Sequence, residues 1–427
     1  MDSEEIKDLL LSDDPEARRQ AVLALSGAPS REAVQSLVSA VGDPDWRVRK
    51  TAVDVLVGIG GDEVFEGLYG ALFSEDNAGA RNSAAEAMVK MGRRASEALA
   101  GRLDERDADV RKFIVDIIGE ICDLSGAPAL VRALSDPDAN VRSSAIEHLG
   151  RMKAPDALEP LVEILKTEDQ WLAFNAAAAL GELGDKRAVG PLMEAAADRL
   201  LREAALDALG RIADESSWPV FEEALSDPVP VIREAAIRGV ARIHGKSGLK
   251  EVLAASLRSR AGADELGFVR GCLEVDDAGL RRASAGLLGI VRDKDSAGAL
   301  ARLLLYDDCR EAAFDALTEI ALDGVEPLLF LLTDEDAVVR AAAAEILGTA
   351  GDARVVSFLI PLLSDENGHA RSSAASALGR LGDKKAVQPL FELLRDEYED
   401  VQEAAIHALG RMGDAELAGH LRELAQD

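Results

Sequence analysis

One arginine returns about every 31 residues along almost the whole chain, and this period constrains the fold more than any other feature of the sequence. The members of this arginine row are Arg18, Arg49, Arg81, Arg111, Arg142, Arg202, Arg233, Arg281, Arg310, Arg340 and Arg371. In the same register, Ala173 and Gln402 fill two further positions, so the unit recurs thirteen times. A fixed period of this length is typical of a solenoid, in which each unit buries its apolar side against its neighbours.

Each unit has the pattern of two helices joined by a short turn. Alanine lies three residues after the row position in eleven of the thirteen units, with Ile114 and Ser284 as the exceptions, and the residue seven after it is always apolar. These positions predict one buried helical stripe, whereas the positions one, five and nine after the arginine point elsewhere. The Asp-Pro dipeptides at 43, 136 and 227 predict a capping carboxylate followed by a proline in the first helical turn.

The recurrence of the arginine indicates a structural role, because a stack of units requires the same contact in each copy. We expect the arginine to bond to aspartates of the preceding turn, such as Asp45, Asp109 and Asp138, and so to link adjacent units. A polar first helix over residues 3–11 and a last helix ending near Leu424 are expected to cap the array.

The unit resembles a known repeat. Residues 365–383 follow the motif Asp-Pro-x-x-x-Val-Arg-x-x-Ala-x-x-x-Leu-Gly-x-x-Gly-Asp, except that Glu366 and Ala370 replace the proline and the valine. This motif is similar to the short HEAT-like repeat named after phycobilin lyases. The resemblance implies an all-α, armadillo-type α-solenoid, a right-handed α-α superhelix of about thirteen HEAT-like helical hairpins whose arginine-bearing helices line the concave side. The repeat of that family carries no catalytic residue, so the resemblance implies a fold more than a function.

The charge of the chain narrows the classes of partner. Lys and Arg total 48 against 78 Asp and Glu, a formal net charge of −30, and no basic stripe stands apart in the sequence. Nucleic acid and anionic membranes attract cationic surfaces, so we expect neither as a partner. The charge favours a protein partner with a basic or mixed basic and apolar surface.

Other compositional features predict a cytoplasmic protein without cofactors. The start is acidic and lacks an apolar signal segment, and no apolar run approaches the roughly 18 to 20 residues that span a bilayer. The three cysteines, at 122, 272 and 309, are widely spaced and form no Cys-x-x-Cys pair, which predicts reduced thiols and no metal or redox centre.

The unit around Ala173 departs from the pattern. It lacks the arginine and carries two of the few aromatic residues, Trp171 and Phe174. Phe174 lies at an outward position, so one interpretation is an apolar anchor for a partner. The other interpretation, that the ring covers a core whose alanine side chains fill little volume, stays open.

A second departure is an insertion between Arg233 and Arg281, which are 48 residues apart. The extra stretch predicts an additional amphipathic helix after a turn that contains Gly262. We therefore divide the continuous solenoid into an N-terminal array over residues 1–253, an atypical insertion or joint over 254–275, and a C-terminal array over 276–427. The insertion is interpreted as a binding feature, a degenerate repeat or a flexible joint.

The third departure is a set of acidic residues five positions after the arginine. These are Asp54, Glu86, Asp116, Glu147 and, two units later, Asp207. Such an acidic row would meet a basic segment of a partner, although it also fits a solvated face that keeps the array soluble. The candidate partner-binding residues are therefore these five and the two aromatic residues of the Ala173 unit.

The sequence offers little for catalysis. None of the five histidines is followed by glutamate, which excludes the di-iron site of HEAT-like deoxyhypusine hydroxylases, and His148 is interpreted as a buried structural histidine. The net charge speaks against HEAT-like DNA glycosylases. We expect a non-catalytic scaffold or adaptor that presents an acidic concave surface to a protein. The alternatives are a phycobilin-lyase-like chromophore lyase or tetrapyrrole chaperone, and a structural module that assembles with itself.

Overall fold

A computed structural model describes residues 3–27, 30–246, 250–260 and 262–413, and these residues form helices and turns without a β-strand. This confirms the predicted all-α fold with repeated helical units. The chain divides into two compact units, Met1–Ile212 and Ala213–Asp427, and each is described by itself.

The first unit alternates helices that carry the arginine row with helices that return the chain. Its helices are α1 (Ser3–Leu10), α2 (Pro15–Ala24), α3 (Arg31–Ala40), α4 (Trp46–Ile59), α5 (Asp62–Ala71), α6 (Ala78–Met91), α7 (Arg93–Ala100), α8 (Ala108–Ile121), α9 (Ala127–Ala133), α10 (Ala139–Arg151), α11 (Leu158–Leu165), α12 (Gln170–Leu183), α13 (Val189–Ala195) and α14 (Arg202–Ile212). The helix predicted over residues 3–11 is confirmed as α1.

The second unit repeats this alternation, with several return segments in 3₁₀ form, among them Glu326–Thr333. Its α-helices are α15 (Trp218–Ala224), α16 (Pro230–Lys246), α17 (Lys250–Arg260), α18 (Ala263–Gly271), α19 (Ala278–Val291), α20 (Ala297–Leu303), α21 (Arg310–Leu322), α22 (Ala337–Ala350), α23 (Val356–Leu359), α24 (Gly368–Leu381), α25 (Val387–Glu392) and α26 (Glu399–Met412). The helix expected to end near Leu424 lies outside the described residues.

We call the helices that contain a row position the row helices, and within each unit they stack directly on one another. In the first unit α2, α4, α6, α8, α10, α12 and α14 pack in this order, and in the second unit α16, α19, α21, α22, α24 and α26 do so. The alanines and leucines of the predicted stripe form the core, as Ala145 and Leu149 illustrate with no exposed surface.

Close approach of successive row helices depends on glycine eight residues after the row position. Five of the glycines at this position meet an alanine of the next row helix, namely Gly150, Gly181, Gly289, Gly348 and Gly379. A Cβ added to any of them would come within 2.7 Å of the alanine that lies six residues after the next row position, such as Ala179 or Ala408. Such a distance is shorter than van der Waals contact, so the pairing of glycine with alanine sets the distance between the two helices. We call the row-helix contacts that have this pairing the regular contacts.

The helix caps differ from the prediction. Asp45 and Asp138 are the N-cap residues of α4 and α10, and Asp45 accepts a hydrogen bond from the Arg47 backbone N–H at 2.8 Å. The carboxylates of the Asp-Pro dipeptides at 43 and 136 lie two residues earlier and accept the backbone N–H of those caps. They are therefore free of the cap role and available to another group.

That group is the arginine of the preceding unit. The Arg371 Nε and Nη2 donate to both carboxylate oxygens of Asp396 at 2.8 and 2.9 Å. The same bidentate pairing, across 25 residues, joins Arg18 to Asp43, Arg111 to Asp136 and Arg340 to Asp365. The expected link between adjacent units is confirmed, but Asp45, Asp109 and Asp138 were the wrong partners, because the acceptor lies in the following turn.

The same aspartates also receive the next arginine through their backbone. The Arg371 Nη1 donates to the Asp365 carbonyl at 2.7 Å, and in the unit without arginine the Gln402 Nε2 donates to the Asp396 carbonyl at 2.6 Å. Asp43, Asp136, Asp365 and Asp396, each six positions before a row position, therefore join two units.

The insertion lies inside the second unit. Gly262 is the N-cap residue of α18, so the additional helix predicted after this glycine is confirmed. Both α17 and α18 pack against α19, while α16 contacts α19 directly. The stack of row helices thus continues past the insertion. Within the described ranges, no helix is both long enough and apolar enough to cross a membrane.

Candidate groove between α6 and α8

A groove of about 460 Å³ lies between row helices α6 and α8 of the first unit. Its lining residues are Asn82, Ala85, Glu86, Val89, Lys90, Phe113, Asp116, Ile117 and Glu120. This volume falls in the range of roughly 300 to 1,000 Å³ that is common for binding pockets. Two of the predicted site residues, Glu86 and Asp116, therefore face the same space.

The groove exists because the small residues of the regular contact are missing here. Val89 stands eight residues after Arg81, where the regular contacts have glycine, and Ile117 stands six after Arg111, where they have alanine. Both branched side chains line the groove. Since they occupy the volume that backbone atoms fill in the regular contacts, α6 and α8 cannot close on each other there.

The arginine of this unit also lacks its usual acceptor. Six residues before Arg111, where Asp43 and its counterparts lie, the chain has Glu105, and the Glu105 carboxylate accepts a hydrogen bond from the Tyr69 hydroxyl. The Arg81 guanidinium carbon instead lies 5.8 Å from the centre of the Phe113 ring. Its Nε is buried without a hydrogen-bond acceptor in the described part of the chain. Phe113 therefore forms a groove wall with a cation beside it.

The acidic row at one end of the groove is interleaved with lysines. Glu86 accepts hydrogen bonds from Lys50 Nζ at 2.6 Å, and Lys90 Nζ lies 3.1 Å from the same oxygen while donating to Asp54 at 2.7 Å. The Lys50 bond is the main cause that lowers the pKa of Glu86, and the Asp54 bond is the main cause that raises the pKa of Lys90. Asp54 and Glu86 are thus two members of a four-residue charge network.

Asp116 is the most firmly held carboxylate of the groove. Burial disfavours its charge, but hydrogen bonds from His148, Lys112 and Ser144 outweigh burial and leave the pKa of Asp116 below its usual value. The Lys112 Nζ lies 2.7 Å from one oxygen, and the His148 Nε2 lies 3.4 Å from the other. The groove therefore presents a fixed negative charge near neutral pH.

His148 is buried, as expected, with 6% of its surface exposed. It occupies the position that is alanine in the regular contacts, and a Cβ added to Gly119 would lie 2.0 Å from its ring. Glycine on α8 thus makes room for an imidazole that holds Asp116 in place.

The remaining predicted residues lie elsewhere in the first unit. Glu147 is exposed on α10 with its carboxylate 3.8 Å from Arg151, and Asp207 is half-buried on α14. Trp171 and Phe174 lie on α12 and are 65% and 45% exposed. None of these four residues lines the groove between α6 and α8.

Sequence reasoning missed Phe113, Glu120 and the two branched residues that open the groove. A signal for the last two was present, since Val89 interrupts the glycine position and Ile117 the alanine position of the repeat. The sequence alone does not show that the glycine position of one unit faces the alanine position of the next. Once the structure shows this, the two large residues can be interpreted as the cause of the groove.

Comparison with known proteins identifies the repeat. The family model described as HEAT repeats matches residues 3–89, 96–174, 142–200, 160–241, 191–272, 325–403 and 371–427. No significant match to a curated protein was found.

Two solved structures each match 96% of this chain. One is a crystal structure of an engineered protein, with 20% identity, a TM-score of 0.37, and coverage of 96% of this chain and 98% of that chain. The other is a structure of Kap95p binding to RanGDP, with 14% identity, a TM-score of 0.49, and coverage of 96% and 71%. Neither similarity supports a conclusion about function.

The family match confirms the HEAT-repeat part of the resemblance seen in the sequence, whereas the affiliation with phycobilin lyases is not confirmed. The matched segments together span well over half of the residues. The chain belongs to the HEAT-repeat family.

Proposed function

We propose that this HEAT-repeat chain is a non-catalytic scaffold or adaptor that binds a basic segment of a partner protein in the groove between α6 and α8. The observation that carries the proposal is the combination of three carboxylates, Glu86, Asp116 and Glu120, with an apolar wall in one groove. A lysine or arginine side chain has the complementary structure, because its apolar stem ends in a charge.

Each wall of the groove would contact a different part of a basic side chain of the partner. The stem of the partner's basic side chain would pack on Val89, Phe113 and Ile117, and its charged end would meet Glu120 and Asp116. Asp116 is fixed by its own hydrogen bonds, so little side-chain entropy would be lost when the partner arrives.

The protonation state of the groove supports binding rather than catalysis. A general acid or base works best when its pKa lies near the operating pH, but the pKa values of Asp116 and Glu86 are both displaced downward. These carboxylates stay ionised near neutral pH and act as fixed charges.

Long-range charge would assist the encounter. The chain carries a formal charge of −30, which attracts a basic partner and accelerates association, and this attraction weakens as salt screens it. We extend the proposal to Glu147 and Asp207 as further charged contacts, and to Trp171 and Phe174 as apolar anchors on α12.

The experiment is affinity capture from a lysate of the source cells with the full chain as bait. We compare wild type with Glu120→Lys, in which a groove charge is reversed, and with Glu163→Lys, a matched reversal at an exposed position on return helix α11. The double variant Trp171→Ala/Phe174→Ala tests the apolar anchors separately.

A protein that is captured by wild type and Glu163→Lys, lost with Glu120→Lys, and released by raising the salt from about 0.05 to 0.5 M supports the proposal. Equal capture by all baits contradicts it. A visible absorption band on addition of a free bilin would favour the tetrapyrrole-binding alternative instead.

A further inference from the structure

We propose that a second groove, formed by the insertion in the second unit, docks an amphipathic helix of a partner protein through leucine-type side chains flanked by lysine or arginine. The groove has a volume of about 420 Å³ and is lined by residues of α15, α17, α18 and α19 together with the residues that follow α15. This groove is separate from the groove between α6 and α8, so the inference can be tested independently of the proposed function.

The apolar wall of this groove results from the inserted helices. Leu257 of α17, Leu266 and Val269 of α18, and Leu287 of α19 all line it. Leu287 lies six residues after Arg281, where the regular contacts have alanine, so a large side chain again replaces a small one. The result is a recess that accepts several aliphatic groups.

The mouth of the groove is anionic. Glu222, Glu223 and Glu265 line it, and the described lining residues include no lysine or arginine, whereas those of the first groove include Lys90. Glu265 accepts a hydrogen bond from the Ser226 hydroxyl at 2.9 Å, and Glu222 accepts one from Ser256. Positioned carboxylates around an apolar floor select a partner whose apolar residues are bordered by cations.

The inserted helix α18 is held on two sides, so the wall is preformed. The Arg233 guanidinium carbon of α16 lies 3.8 Å from the centre of the Phe268 ring. On the other side, Arg270 donates to both oxygens of the buried Asp293 at 2.7 and 2.6 Å. A wall that does not have to order itself on binding leaves more of the contact energy for affinity.

Backbone chemistry favours a helix as the occupant. The described residues of the second unit contain no strand edge, so an extended peptide would enter the apolar groove with its backbone N–H and C=O groups unpaired. A helix satisfies these groups internally and presents apolar side chains at i, i+3, i+4 and i+7.

The probe for the test is a fluorescein-labelled synthetic helix of about 18 residues, with leucines at that spacing and lysines on both borders of the leucine face. A second peptide has glutamate in place of every lysine. Fluorescence anisotropy measures the binding of both peptides to the full chain, to Glu223→Lys/Glu265→Lys, and to the control Glu335→Lys, which changes an exposed residue of the same unit outside the groove.

We expect the lysine peptide to bind wild type and the control alike, to bind the double variant about tenfold more weakly, and the glutamate peptide to show the opposite preference. Hydrogen exchange should show protection over residues 218–226 and 263–271. If circular dichroism shows that the double variant has lost helicity, Glu223→Lys alone replaces it, because Glu223 is exposed.

The inference is overturned if the lysine peptide does not bind wild type, or if Glu335→Lys weakens binding as much as the double variant does. It is also overturned if the bound peptide protects other helices and leaves 263–271 unchanged. Protection confined to residues 82–120 would place the peptide in the first groove, which would support the proposed function while refuting this inference.

Discussion

Two groups of contacts between row helices differ in the residues that set the helix spacing and in the partner of the row arginine. In the regular stack of α22, α24 and α26, glycine meets alanine and each arginine binds an aspartate of the next unit, as Arg371 binds Asp396. In the α6–α8 and α16–α19 contacts a larger residue, Ile117 or Leu287, replaces the alanine. There the row arginine, Arg81 or Arg233, lies over a phenylalanine ring.

The α6–α8 and α16–α19 contacts each border a groove, of about 460 Å³ and about 420 Å³ respectively. The repeat therefore carries two separable devices, a spacing device of glycine and alanine and a linking device of arginine and aspartate. In these two contacts both devices are absent and apolar surface lines a recess, which is where we place the binding functions.

The largest effect is expected from Gly379→Val, which introduces bulk into a regular contact. A Cβ at this position would lie 2.5 Å from the Ala408 Cα, a backbone atom that can yield only if α26 moves. We expect a loss of about 3 kcal/mol in the free energy of unfolding of the C-terminal helices. Urea titration followed by hydrogen exchange over Glu399–Met412 measures this loss.

Gly286→Ala is the control, because no atom lies within 4 Å of the added Cβ in helix α19. It should gain about 0.5 to 1 kcal/mol from the lower entropy of the unfolded chain. Equal destabilisation by both variants would show that the glycine and alanine pairing does not set the helix spacing.

The linking device is tested by Arg371→Ala. The side chains of Arg371 and Asp396 are only 9% and 8% exposed, so removal of the arginine leaves a buried carboxylate without its partner. We expect a loss of about 3 kcal/mol in the free energy of unfolding. Arg310→Ala should have a much smaller effect, because the ion pair of Arg310 with Asp307 is exposed to solvent.

A double-mutant cycle with Asp396→Ala separates the pair from its surroundings. If the two single variants and the double variant give additive losses, the bidentate pair does not couple the units and the linking role is refuted.

A smaller loss of stability is expected when the pH is lowered. The pKa of Asp365 is lowered by its hydrogen bonds from Arg340, and the pKa of Asp396 by those from Arg371. Because these folded-state pKa values lie below the unfolded value of about 3.9, the linked stability is complete above that pH and is lost as the pH falls through the folded-state values.

Urea midpoints measured from about pH 7 to pH 3 check this sign, with Asp396→Asn as the comparison. The variant should be less stable than wild type at neutral pH, and the difference should shrink toward pH 3, because the carboxyl of the unfolded wild type then takes up a proton. A difference that does not change with pH would contradict the assignment.

The smallest expected effect is an increase in the stability of the second unit. Six residues before Arg281 the chain has Val275, so Arg233 lacks the carboxylate that the regular contacts supply at this position. The turn itself is regular, since the Arg281 Nη1 donates to the Val275 carbonyl at 2.9 Å. We expect Val275→Asp to stabilise the second unit by about 1 kcal/mol through a charge-assisted hydrogen bond.

Thermal unfolding of Val275→Asp against Val275→Asn separates the charge from the change in size. If Val275→Asp is no more stable than Val275→Asn, the stacking of Arg233 on Phe268 already replaces the ion pair.

Much of the fold could be read from the sequence because its signals are local. Alanine and leucine at helical spacing predicted the buried stripe, and Gly262 marked the start of α18. The partner of the row arginine could not be chosen in this way. Asp43 and Asp45 lie two residues apart in the same turn, and only the geometry of that turn makes Asp45 the helix cap and Asp43 the acceptor of Arg18.

The candidate site was predicted in part. Glu86 and Asp116 line one groove, together with Glu120, which stands at the outward position nine after Arg111 but was not singled out. Phe113 had no sequence signal of its own. The pairing of Asp54 with Lys90 and of Glu86 with Lys50 also escaped notice, because each pair joins two row helices 36 residues apart in the chain.

The sequence by itself determined the repeat, its helices and the HEAT-repeat family, since a period of about 31 residues with fixed small and apolar positions permits little else. Only the tertiary structure decided where the stack opens. An opening depends on whether the side chains at two positions in different units are small enough for two helices to meet, and that property belongs to the pair of positions rather than to either residue.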